Sequence, residues 1–177
     1  ARRIEGRGAR RGRPGVTVRG GMAVAGVEKD RLPNGVDMFV LDCSPQEVVR
    51  VSFVFRAGSA YQPSPFAASA AANLLAEGTQ GMTAHQIAES LDFYGSYFDV
   101  ALDRDYAVIT FVALSKYFEQ TLETAAEILL RPVFPEHEIE IYAAKRKQRL
   151  ALERGKVAFR ARELFTNTLF GQSHPYG

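Results

Sequence analysis

Phe66 to Gly78, "FAASAAANLLAEG", is an alanine-rich segment that carries two isolated polar residues, Ser69 and Asn73, four positions apart. On a helix that spacing puts a hydroxyl and a side-chain amide on one face. Neither group is a nucleophile or a strong ligand without help, and no acid or imidazole lies between them. The other residues that could do chemistry are scattered. His85, His137 and His174 are far apart in sequence, and no two stand at metal-ligand spacing. His85 follows the helix-capping Thr83, His137 lies in an acidic first turn, and His174 precedes Pro175 in a loop, so surface roles outweigh ligation for each. Ser59 in "AGSA" lacks the flanking glycines of a nucleophile elbow. Asp103 and Asp105 flank a hairpin turn, where turn formation is the better reading. Cys43 is the single cysteine, which excludes an intramolecular disulfide and a cysteine metal cluster and leaves packing as its expected role. "RGGMAVAG" matches neither phosphate-loop nor dinucleotide patterns.

The elements that must position these groups follow from periodicity. Leu32-Pro-Asn-Gly35 predicts a turn feeding an alternating strand with Val36, Met38 and Val40. Val48–Ser59 alternates Val49, Val51, Phe53 and Phe55 against Arg50, Ser52 and Arg56, the pattern of a half-buried strand. A proline-containing loop leads to the alanine-rich helix, expected over Phe66–Glu77. Thr83 is expected to cap a helix with Ile87, Leu91 and Tyr94 in one stripe, ended by Gly95. Ser96–Leu102 and Asp105–Leu114 read as an antiparallel hairpin, the second strand apolar on both faces and therefore central. Lys116–Leu130 reads as a helix with the stripe Phe118, Leu122, Ala125, Leu129. Phe134–Gly155 and Lys156–Phe170 read as two more helices, the former acidic early and basic late, as the helix dipole favours. Four strands and five helices predict an α+β fold, a mixed or mostly antiparallel sheet packed against several helices.

The chain has 177 residues, long enough to bury a core, and a formal charge of +2. That charge is uneven. Residues 1–20 hold seven arginines and one acid, Glu5; taking these from the totals of 22 basic and 20 acidic residues leaves 15 and 19, a net of −4. The tail lacks aromatics to stack bases and apolar periodicity for an interfacial helix, and Ile4–Arg7, "IEGR", resembles a protease-cleavage tetrapeptide used in expression vectors. Residues 1–20 are therefore expected to be disordered or introduced for expression, and 21–177 to be the folded part, with no nucleic-acid partner. No run is apolar enough to span a bilayer and no signal peptide opens the chain, so a soluble protein is expected, cytoplasmic or periplasmic if bacterial.

The ordered markers LPNG, RAGS, EGT, FYG, RPVFPE and HPYG, spread from Leu32 to Gly177, resemble the N-terminal domain of pitrilysin/insulinase-type peptidases, the family of the mitochondrial processing peptidase. In that family the helix before EGT carries H-x-x-E-H: two histidines bind zinc, the glutamate deprotonates the bound water, and a carboxylate from a later helix completes the ligands. Counting back from Glu77-Gly78-Thr79 places the motif on Ser69-Ala70-Ala71-Ala72-Asn73. The resemblance thus implies a degenerate site. Ser69 and Asn73 replace the histidines, Ala72 replaces the base, and Ala143–Leu152, where the distal ligand belongs, contains no carboxylate. No catalytic, metal-binding or cofactor-binding residue is expected, and no zinc. The implied role is that of a non-catalytic partner, a subunit or half that completes the peptide-binding chamber of an active H-x-x-E-H peptidase, with peptide substrate held in the shared chamber. The alternatives are a structural or interaction subunit with no part in proteolysis, and an active peptidase with relocated ligands. HPYG precedes more of the domain in the family, so the chain is expected to be truncated at its C-terminus.

Overall fold

A computed structural model describes residues 26–42 and 47–176, which fall into two units divided after Gln46. The arginine-rich tail and Cys43 lie outside the described residues. In the first unit, β1 (Val27–Arg31) pairs with β2 (Asp37–Leu41) as an antiparallel hairpin, Val27 opposite Leu41 and Arg31 opposite Asp37. The Leu32–Val36 turn forms as its sequence predicts: the Asn34 side chain accepts the Val36 N–H at 3.1 Å, and Gly35 takes φ +87°, open to glycine at little cost. Strand β1 is the fifth strand, one more than expected. Its sequence VEKDR has no apolar alternation, and the Lys29–Asp37 pair at 2.8 Å joins it to its partner.

The second unit contains a three-stranded antiparallel sheet, order β3 (Val48–Phe55), β5 (Ala107–Leu114), β4 (Tyr97–Leu102). The doubly apolar strand β5 is central, as expected, with Phe53 opposite Ile109 and Phe98 opposite Phe111. Helices α2 (Ala84–Phe93) and α3 (Phe118–Leu130) supply the rest of the core: Ile87 and Leu91 meet Ile109, Phe111, Ala125 and Ile128. Phe53 and Phe98 pack their rings on Phe111 with centroids 6.3 and 5.1 Å away. Thr83 caps α2 through a reciprocal box with Gln86.

Helix α3 is rotated from its expected stripe. It buries Thr121, Thr124, Ala125 and Ile128, while Leu122 remains 41% exposed. The threonines can go inside because their hydroxyls are satisfied locally. Thr121 bonds the Tyr117 carbonyl and Ser96, and Thr124 bonds the Gln120 carbonyl and Ser90, leaving their methyl groups to pack.

Three further helices complete this unit: α1 (Ala67–Leu74), α4 (Glu136–Arg154) and α5 (Val157–Phe170). Helix α1 is shorter at both ends than Phe66–Glu77, because Phe66 turns to φ +69° at its start and Gly78 to φ +150° beyond its end. The proline-containing loop after β3 includes a 3₁₀ turn at Ser59–Tyr61. No helix among the described residues is long and apolar enough to cross a membrane.

Candidate functional site at the α1–α4 junction

Helix α1 is anchored by Leu74, 5% exposed, while its alanines let α4 approach closely. Ser69 and Asn73 lie on one face, as their spacing requires, and are linked: the Asn73 Nδ2 donates to the Ser69 carbonyl at 2.7 Å. The Ser69 hydroxyl is engaged both as donor and as acceptor. It donates to the Phe66 carbonyl at 3.0 Å and accepts the Tyr142 hydroxyl of α4, also at 3.0 Å. Ala72 contributes only a methyl group.

Across this face α4 presents Tyr142, Arg146, Arg149 and Glu153, spaced four, three and four so that they share one side of the helix. The Arg146 guanidinium lies 4.8 Å from the Phe66 ring centroid, a cation–π contact that ties α4 to the strained residue starting α1. Glu153 accepts the Arg149 Nε at 2.8 Å and lies 3.7 Å from the Arg146 Nη1. This carboxylate lies one residue beyond the Ala143–Leu152 span and is taken by arginines.

These residues do not fit the zinc that the resemblance implies for active relatives. Ser69 has its proton and an acceptor lone pair committed, Asn73 turns its amide nitrogen to a carbonyl, and neither type competes with imidazole for zinc. Two guanidiniums on the facing helix oppose a dication. Among the described residues no three histidine, cysteine, aspartate or glutamate side chains group as a metal site. The contacts of Tyr142 and Arg146 escape sequence reading; their only signal is the i, i+4 spacing along α4.

The remaining candidates have structural surroundings. His85 lies 3.8 Å from Glu89 on the exposed side of α2, and His137 is exposed in the first turn of α4. His174 stacks on Phe170, its Nδ1 accepting the Tyr176 N–H at 3.1 Å. The Asp103 Oδ1 accepts the N–H groups of Asp105 and Tyr106 at 2.7 Å each, the turn role its sequence suggests. Around that turn three markers meet. Gly58 of RAGS packs so tightly that a Cβ there would lie 2.4 Å from the Arg104 backbone, and Gly58, Ser59 and Ala60 donate their N–H groups to Asp105, Asp103 and Arg104. Tyr176 of HPYG donates its hydroxyl to Asp105 beneath Arg104, a bond that holds the phenol above its ordinary pKa. EGT meets RPVF in the same manner: Gln80 N–H donates to the Arg131 carbonyl and Val133 N–H to that of Gly78.

Residues 38–171 match the family model described as insulinase (peptidase family M16). The chain belongs to that family, as its ordered markers imply. Its fold is similar to the crystal structure of a peptidase M16 inactive domain from Pseudomonas fluorescens, TM-score 0.80 at 22% identity. It is also similar to that of a protease from Helicobacter pylori, TM-score 0.70 at 19% identity. Both likenesses cover 85% of this chain but only 37% of the other. Comparison with curated proteins gives no match.

Proposed function

We propose that this chain is a non-catalytic member of the M16 family that completes the peptide-binding chamber of an active H-x-x-E-H partner, as a separate subunit or as one half of a longer chain. The observation that carries this reading is the α1–α4 junction. Where a metal and a base would stand, Ser69 and Asn73 spend their polar groups holding the helices together, and Ala72 can move no proton. The scaffold persists while its chemistry is gone, and the Pseudomonas structure, described as an inactive M16 domain, supports such a role.

The test is elemental analysis and peptide hydrolysis, with the chain alone and with an H-x-x-E-H partner. Zinc and turnover are expected only with the partner. The variant combining Ser69→His, Ala72→Glu and Asn73→His is expected to remain inactive alone, because α4 offers no carboxylate from Ala143 to Leu152 and Glu153 is already paired. Stoichiometric zinc with hydrolysis by the isolated natural chain would overturn the proposal.

A further inference from the structure

We infer that the α1–α4 junction binds a carboxylate of a docked peptide, an acidic side chain or chain terminus, with Arg146 as its anchor; the inference rests on the peptide-chamber reading above. The junction carries donors and positive charge where the family motif would carry metal ligands. Arg146 and Arg149 share a single carboxylate, Glu153, which leaves one positive charge unmatched within this set. Glu153 is not shared evenly. It takes a hydrogen bond from Arg149 at 2.8 Å, whereas the 3.7 Å contact to Arg146 is too long for one. The Arg146 Nε is shielded from solvent without a hydrogen-bond partner, so this guanidinium is underused by the fold.

Arg146 is also held in place and reachable. The Phe66 ring fixes one face of the guanidinium, so little side-chain freedom remains to be lost when a ligand arrives. Its side chain is still 29% exposed, enough for a ligand to make contact without unfolding the junction. A guanidinium has donors and no acceptor, and its planar fork suits a carboxylate. The neighbouring donors are already committed, the Tyr142 proton to Ser69 and an Asn73 amide N–H to the Ser69 carbonyl, so Arg146 is the group at this junction left to meet a carboxylate.

Fluorescence anisotropy with labelled extended peptides, identical except for a central Glu, Gln or Lys, tests this. The Glu peptide is expected to bind roughly tenfold more tightly than the Gln peptide, and the Lys peptide most weakly. Arg146→Gln is expected to abolish the difference. Glu153→Gln, which removes the internal competitor, is expected to enlarge it, a gain that misfolding cannot produce. Equal affinity for the Glu and Gln peptides would overturn the inference while leaving the chamber reading standing. A preference that survives Arg146→Gln, or that Glu153→Gln fails to enlarge, would remove Arg146 as the anchor. Absence of binding by all three peptides to the chain combined with an H-x-x-E-H partner would overturn both readings.

Discussion

Tyr176 shows how one side chain secures a turn far from it in sequence. Its hydroxyl donates to Asp105, so the protonated phenol is the form the fold favours, and the Arg104 guanidinium 5.1 Å from its ring offsets only part of that preference. The hydrogen bond to Asp105 is the main reason its pKa is raised, with burial and the carboxylate's charge adding to it. A group with a raised folded pKa contributes stability below its unfolded value, near pH 10 for tyrosine, and loses it as pH climbs through the folded value. The gap in urea midpoint between the natural chain and Tyr176→Phe is therefore expected to be steady from neutral pH to about pH 10, then to close above it. A gap that stays unchanged well into the alkaline range would show that the hydroxyl contributes nothing through its proton. At this scale much was legible. The turn roles of Asp103 and Asn34 follow from their types, since short polar side chains bond nearby backbone. The Tyr142 contact to Ser69 was not, because it joins residues 73 positions apart and no local pattern records it.

Helices and strands were readable where burial follows apolarity and unreadable where it does not. Strand β5 shows the first case: its two-sided apolarity put it at the centre of its sheet. Helix α3 shows the second, since counting only apolar residues favoured Leu122 over Thr121, and backbone-bonded hydroxyls reversed that order. Strand β1 shows a third, in which cross-strand pairing rather than burial makes the strand, so its charged sequence gives no periodic sign. For α1 the relevant anchor is Leu74. Its truncation to alanine should leave a cavity beneath a helix only eight residues long and cost on the order of 2–5 kcal/mol. Denaturant unfolding of Leu74→Ala reads this directly, and a loss below about 1 kcal/mol would mean that α1 is held by its α4 contacts instead.

Across the molecule, four of the six markers that resemble the family's, RAGS, EGT, RPVFPE and HPYG, prove to be places where distant segments touch. RAGS, the Asp103–Asp105 turn and HPYG form one such cluster, while EGT and RPVF form another. That explains why the family and the positions of its motif were readable from order alone, whereas the Tyr142 and Arg146 contacts at the α1–α4 junction were not. Close backbone contacts restrict residue types on both sides, as Gly58 against Arg104 illustrates. The α1–α4 junction is restricted by helix packing, and several residue sets can satisfy that.

The Asp105–Tyr176 bond joins residues 71 positions apart, which gives it a place in time as well as in space. Closing so long a loop costs chain entropy before any contact repays it, so this link belongs after the transition state of folding. Its removal in Tyr176→Phe should accelerate unfolding and leave the refolding rate nearly unchanged in stopped-flow measurements. A slowed refolding arm would instead place the link in the nucleus. On that expectation the turn that carries Tyr176 is a latch on lifetime, one that leaves the search for the fold unchanged and lengthens how long the fold persists.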